Sequence, residues 1–404
     1  MADHSRGVPL TAAIAVVLAP SLSAFAAVGL IPVLPQMVKA FGGNAQLVTL
    51  TVTLPLLAAA AATALLGFLG DRFSRRTIYI AAAGVFAVAA PLPVLLNTLP
   101  LILAARFLTG LAIGFMVATS LGLIGDLFTS ERRSRLLSAQ GIVAATLTVG
   151  GSALNGYLGQ FGWHYVFLIN LIGIPVFIMA CTLPNRPAAA EAAESDQVVV
   201  KAPFPWRSTA VIFILVVAGI LLIVPPSYEL SFLFTERGIG SSVMIGTMTA
   251  VVSAGAALGA ALLAPIRRLA PFFAIALCLV LSSLGQGLVV VAGTAPIPLA
   301  LGVLLFGSAQ GLFMALMALW LLNSIEWSVR GRVTGWFRTL IYFSGFAGPQ
   351  LARLLSGALG NSENTYLAYA MMTLSLAALL AGIQMIRGRR RTATAAAELV
   401  DERA

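Results

Sequence analysis

The chain is poor in the residues that do chemistry. Of its 404 residues, 9% are charged, two are histidine and two are cysteine. Cys181 and Cys278 sit inside apolar stretches, with no CxxC spacing and no Cys/His cluster. That pattern argues against a disulfide framework, a thiol redox pair or a structural metal. There is no glycine-rich nucleotide loop, and His4 and His164 stand alone. The sequence therefore reads as no enzyme and as needing no cofactor. The N-terminus has one Arg6 ahead of an apolar run too long for a signal-peptide h-region, without a clear cleavage site. That run reads as a first membrane helix. What the chain does have is 59% hydrophobic residues and a mean hydropathy of +0.98. Soluble domains carry about 25% charged residues. This chain cannot cover itself with a polar surface, so its main solvent is lipid. Its net charge of +10 lies in short clusters between apolar runs. Such clusters suit lipid headgroups rather than nucleic acid.

A spanning helix needs about 20 apolar residues. Runs of that kind cover 10–33, 46–69, 77–96, 100–122, 137–159, 164–183, 208–232, 241–264, 270–292, 297–321, 333–357 and 364–386. Twelve spans put both termini on one side. The even connections hold Arg72, Arg75 and Arg76, then Arg132, Arg133 and Arg135, then Arg186, Lys201 and Arg207, then Arg267 and Arg268, then Arg330 and Arg332. The odd connections hold only Lys39 and Arg237. By the positive-inside rule the termini and the even connections are cytoplasmic.

The segment 184–207 is the longest polar break, rich in Pro, Ala and charge, and reads as a linker. It divides the chain into a six-helix bundle over 1–183, a cytoplasmic linker over 184–207, a second six-helix bundle over 208–386 and a cytoplasmic tail over 387–404. A shift of 197 residues aligns the fourth span with the tenth: Arg106, Gly110 and Gly114 fall on Val303, Gly307 and Gly311. The same shift sets Arg133-Ser-Arg135 on Arg330-Gly-Arg332, and Gly151 on Gly348. The expected fold is an all-α membrane protein with twelve helices in two pseudo-symmetric halves. In such folds the binding site lies at mid-depth between the halves.

The residues then carry a family resemblance. Gly67-xxx-Asp71-Arg72-x-Ser74-Arg75-Arg76 resembles the signature loop of the major facilitator superfamily, where it joins helices two and three as it does here. Arg106–Gly110–Gly114 resembles a second signature, on helix four, of proton-coupled members. Gly162-Trp-His-Tyr-Val-Phe-Leu-Ile-Asn170 looks like the start of helix six in bacterial multidrug exporters of that superfamily. The chain departs at Ser74, where the loop usually has Gly. It also lacks the Gly-Pro-x-x-Gly-Gly run of drug antiporters on helix five, carrying Gly150-Gly151-Ser-Ala-Leu-Asn155-Gly156 instead.

Charge placement gives the candidate residues. Asp71 gains nothing as a topology anchor among arginines, but an acid there can face the positive end of another helix. The resemblance implies that this helix is the eleventh, in the opposite half. Gly67, Asp71, Arg72, Arg75, Arg76 and Asp126 then form a latch, with Asp126 accepting Arg75. Arg106 lies roughly 10 Å deep at 1.5 Å per residue, and either faces a cavity as part of proton coupling or snorkels to headgroups. Glu229 follows Pro225-Pro226 and matches Arg353 in depth. The two make an ion pair or an outer gate, or stand solvated at headgroup level, and Glu229 is an acid able to carry a coupling proton. Phe25, Asn155, Gln310 and Tyr342 are weaker candidates for substrate contact, alongside Asn170, Phe306, Phe313 and Trp320. The expectation is a monomeric secondary transporter of the bacterial inner membrane. Its partners are a small-molecule substrate, protons and the bilayer, and it exports amphipathic molecules. Uptake of a metabolite, including an anion, stands as the alternative, with a lipid flippase or a sensor behind it. The latch predicts that Asp71→Asn preserves protein level and insertion while severely lowering transport and exposing the cytoplasmic cavity. Transport assays and cysteine labelling from each side check it; wild-type transport would remove the latch.

Overall fold

The structure, a computed structural model, describes residues 9–69, 72–128, 130–184, 204–326 and 329–401. Asp71 and most of the linker lie outside the described residues, as do the side chain of Phe25 and the surroundings of Gly67. Among the described residues every regular element is a helix. Ten helices are long and apolar enough to cross a bilayer. Two more, α1 (Leu10–Val28) and α14 (Arg330–Leu359), make the set consistent with twelve spans; α14 is kept less apolar by Arg330, Arg332, Arg338 and Arg353.

The first span runs beyond its expected end at 33. After α1 the chain makes a 3₁₀ turn over Ile31–Val33 and re-forms as α2 (Leu34–Ala40), with Pro32 and Pro35 in the first turns of the two segments. The next spans are α3 (Ala45–Leu69), α4 (Arg75–Ala89), α5 (Leu99–Leu127) and α6 (Ser130–Leu158). The sixth begins as 3₁₀ turns over Trp163–Ile172 after Gly162 at φ 134°, and ends as α7 (Gly173–Cys181). Pro225 and Pro226 break the seventh into α8 (Trp206–Ile223) and α9 (Pro225–Glu236). Then come α10 (Ser242–Ala261), the short α11 (Leu263–Ile266), α12 (Pro271–Val291), α13 (Pro296–Ser324), α14 and α15 (Ser362–Asp401). Capping fits the boundaries. Ser74 accepts from the Thr77 amide and Ser241 from the Met244 amide, while Gly360 closes α14 in the left-handed region at φ 86°.

Between helices in lipid, association rests on close packing of small residues. A Cβ at Gly110 would lie 2.3 Å from the Pro55 carbonyl oxygen, and one at Gly114 2.7 Å from that of Ala59. These glycines press α5 onto α3. A Cβ at Gly307 would lie 2.3 Å from the Val252 oxygen, and one at Gly311 1.8 Å from that of Ala256, pressing α13 onto α10. Val252 and Ala256 are Pro55 and Ala59 displaced by the same 197 residues that relate the glycines. The repeat is therefore a repeat of contacts, not only of letters.

The arginine-bearing connections gather at one end of the bundle. At this basic end the two halves keep separate cores. One holds Tyr79, Phe86, Met116 and Ile124 of the first half; the other holds Val216, Cys278, Met317 and Phe337 of the second. At the far end a single core contains Ile31, Val33, Val52 and Phe167 from the first half with Phe234, Ile245, Val252 and Phe306 from the second. The seam there is tight. A Cβ at Gly156 on α6 would lie 2.8 Å from the Gly246 Cα on α10. The halves are thus sealed together at the far end.

Glycine packing gives a stability prediction. Gly307→Ala should destabilise by about 1–3 kcal/mol through overpacking. Gly287→Ala, whose Cβ meets nothing within 4 Å, should be neutral or slightly stabilising. Thermal unfolding of the purified protein in detergent compares them, and equal melting temperatures would contradict the contact.

Candidate functional site

At the basic end, the charges that the sequence concentrates make local contacts. Arg75, in the first turn of α4, places Nη1 2.7 Å from Asp126 at the end of α5. Arg76 Nε donates to the Leu183 carbonyl at 2.7 Å, and Arg133 Nη2 to that of Gly125 at 2.6 Å. Arg72 is exposed in the turn. These bonds tie the ends of the third to sixth spans into one unit, and each stays within the first half.

Deeper in, Arg106 is 1% exposed. Its setting follows from a proline. Pro55 lies inside α3 and cannot donate to the carbonyl four residues before it, that of Thr51. Arg106 Nε donates to that Thr51 oxygen at 2.7 Å. Arg106 neither snorkels nor lines open space: it is enclosed between α3 and α5 and supplies a donor that the proline removed.

The second half holds the other buried charges. Arg353 on α14 donates through Nε to Glu229 Oε1 on α9 at 2.5 Å, and its Nη2 contacts Oε2. The Arg353 and Glu229 side chains are 8% and 1% exposed, which rules out a solvated pair at headgroup level. Phe232 covers the guanidinium at 3.9 Å from its ring centroid, a cation–π contact. Nearer the far end, Ser362 donates through its hydroxyl and amide to Glu236 at 2.7 and 3.0 Å, and Arg237 reaches Glu363 at 3.5 Å. The sequence expectation is an ion pair or an outer gate. The pair is made, but both partners belong to the second half, so it braces that half and does not bridge the seam.

The weaker candidates separate. Gln310 donates to the Ile223 carbonyl at 3.0 Å and to Ser227 Oγ at 2.7 Å, splinting the break between α8 and α9. Tyr366 donates to the Pro226 carbonyl in the first turn of α9 at 2.5 Å. Gln310 still lines an apolar cavity of about 180 Å³ with Ile220, Val224, Ala256, Phe313 and Met314. Asn155 is not beside it. Its side chain is buried on α6 in the sealed far end, with Oδ1 lacking a hydrogen-bond partner among the described residues. Asn170 donates to the Ala90 carbonyl at 3.4 Å. Tyr342 is half-buried against the basic-end core of the first half. Phe306 is core, and Trp320 meets Phe272 edge-on at 5.6 Å.

Sequence reasoning missed the Arg106 acceptor, although a proline inside an apolar window, as Pro55 is inside 46–69, marks a freed carbonyl. It also missed Gln350, whose Nε2 donates to Thr53 Oγ1 on α3 at 3.0 Å.

Two helical halves share a common core at one end and keep their own cores at the other, with buried charge at intermediate depth. The chain belongs to the Major Facilitator Superfamily, whose family model matches residues 16–349. It is 28% identical over 155 residues to a multidrug resistance protein B homolog of Mycobacterium tuberculosis, covering 37% of this chain and 29% of that one. It is 30% identical over 148 residues to the multidrug transporter protein MdtP of Bacillus subtilis, covering 36% and 27%. The matches thus span less than a third of those relatives. The fold is similar to that of a D-xylose-proton symporter, with a TM-score of 0.71 at 16% identity over 92% of this chain and 96% of that one.

Breaking a buried ion pair by removing one partner costs about 3–5 kcal/mol, whereas replacing both costs far less. Glu229→Gln and Arg353→Met should each lower unfolding stability in detergent, and the double variant should recover much of the loss. Additive single effects in this mutant cycle would show that the two side chains act independently.

Proposed function

We propose that the protein is a proton-coupled exporter of small amphipathic molecules that works by alternating access. In this reading the basic end and both termini face the cytoplasm of a bacterial cell, and the protein lies in its inner membrane. The observation that carries the reading is the Glu229–Arg353 pair, an acid 1% exposed at membrane depth. With the far end sealed, water from that side does not reach it. When the far end opens, the carboxylate takes a proton from outside and the guanidinium loses its counter-charge. The unpaired Arg353 then favours return to the basic-end-open state, where the proton leaves inward and the pair re-forms. Substrate moves the other way, from the cytoplasmic cavity outward.

The apolar cavity beside Gln310 suits an amphipathic substrate. Its walls take hydrocarbon, and the Gln310 carbonyl oxygen accepts one hydrogen bond. The relatives named for multidrug resistance and multidrug transport support export. Arg106 and Arg353 both spend donors on groups of the protein, which weighs against the anion-uptake alternative. At the basic end, the loop carrying Asp71 belongs to the latch that closes when the far end opens, and Arg75–Asp126 braces the first half beside it. Each contact contributes roughly 0.3–2 kcal/mol, small enough for a bound proton or substrate to outweigh.

Glu229→Gln removes the charge and keeps the shape. In reconstituted vesicles it should abolish accumulation driven by a pH gradient while leaving energy-independent substrate exchange near the wild-type rate. A screen of deletion and overexpression strains across toxic compounds supplies the substrate for the assay. Full gradient-driven flux in the Gln variant would remove Glu229 from coupling.

A further inference from the structure

The buried charges of the two halves occupy one layer. Arg106 is seven residues from the start of α5, and Thr51 and Thr53 are six and eight from the start of α3. Arg353 and Gln350 are six and nine from the end of α14, and Glu229 is seven from the end of α9. At 1.5 Å per residue, all lie about 9–14 Å from the far-end termini of their helices. Within that layer a side chain crosses between the halves: Gln350 Nε2 donates to Thr53 Oγ1 at 3.0 Å. Thr53 is fully buried, and its own hydroxyl donates to the Thr49 carbonyl at 3.3 Å, so its lone pair is aimed at Gln350. Gln350 stands one turn from Arg353. Thr53 stands two residues from Thr51, whose carbonyl holds Arg106.

We infer that Gln350 and Thr53 form a strut that locks the far end shut and fixes the axial register of α14 on α3. Gln350 is thereby a positioning residue for alternating access. This rests on the reading that the far end opens during transport. The apolar core at that end resists separation but not sliding, because dispersion is non-directional. A hydrogen bond is directional and fails when one helix slides by a single 1.5 Å residue step. Further toward the basic end the helices still touch, since a Cβ at Gly345 would lie 3.1 Å from Leu56 Cδ1. The strut is therefore the polar, breakable upper part of a seam whose lower part is apolar. Parting the far end must break it, and re-forming it returns Arg353 and the Arg106-bearing pair of helices to the relative position seen here.

The test needs neither substrate nor gradient. A cysteine is placed at Ser242, which is 5% exposed in the α6–α10 seam, away from the strut. Its reaction with a membrane-impermeant maleimide from the far side reports opening; labelling of the parent, which keeps Cys181 and Cys278, is subtracted. Gln350→Leu and Thr53→Val should each speed labelling about three- to tenfold, the range that one hydrogen bond commands. The double variant should label no faster than either single. Thr53→Ser, which keeps the hydroxyl, should label like the parent. Unchanged labelling in both singles, effects that multiply in the double, or loss of protection in Thr53→Ser would each overturn the strut. Because opening is read directly, failure here is distinct from failure of proton coupling, which Glu229→Gln tests by flux.

Discussion

A carbonyl oxygen inside a bilayer has no water to turn to, so one that loses its helical donor must be given another. Much of the polar architecture follows from that constraint. Pro55 frees the Thr51 carbonyl, and Arg106 reaches across from α5 to fill the vacancy. Pro225 and Pro226 break the seventh span, and Gln310 on α13 supplies a donor to the Ile223 carbonyl at the break. The prolines create bends, the bends expose backbone, and the exposed backbone recruits side chains from neighbouring helices. The break between α8 and α9 also sets the helical phase of Glu229 on its own short segment, where Arg353 and Phe232 meet it.

The closed end is built on the opposite principle. There the contacts are bare backbone against bare backbone at Gly156 and Gly246, roofed by the apolar core shared between halves. Glu229 and Arg353 lie just beneath, within one half. A charge pair spanning the seam would have to be pulled apart into low dielectric at each opening, at a cost of several kcal/mol. With both charges on one side, separating the halves does not by itself separate them. What crosses the seam is neutral, the amide of Gln350 on the hydroxyl of Thr53.

The span pattern and the 197-residue repeat were legible in the sequence because each is written in long runs or fixed offsets. Hydrophobic length marks the helices, and glycines at 110, 114, 307 and 311 recur because close approach tolerates no Cβ. Depth was legible too: counting from span ends set Glu229 level with Arg353. Partners were harder. The Arg106 acceptor is a backbone atom, which leaves no letter of its own. Gln310 reads as a ligand-binding amide, and its further task as donor to the break at Val224 is not visible in the sequence. Asn155 reads as inward-facing until α6 is turned so that it meets the other half. Each miss is a matter of rotation about a helix axis, which an all-round apolar span does not encode. The extension of the first span to Ala40 escaped for a related reason, since a run interrupted by Pro32 and Pro35 looks finished at the first proline.

The repeat also shows where symmetry is broken. Displaced by 197 residues, Arg353 corresponds to Gly156 and Gln350 to Ala153, while Thr53 corresponds to Ala250. The α6–α10 seam and the α14–α3 seam are thus two copies of one contact with different fillings. One is closed by bare backbone at Gly156 and Gly246, and its attraction is lost within about an ångström of separation. The other is polar, and water can take over its hydrogen bonds as it parts. Two such edges do not yield alike. The glycine edge loses its contact abruptly, whereas the polar edge can exchange its hydrogen bond for one to water, so the molecule possesses a brittle side and a compliant side.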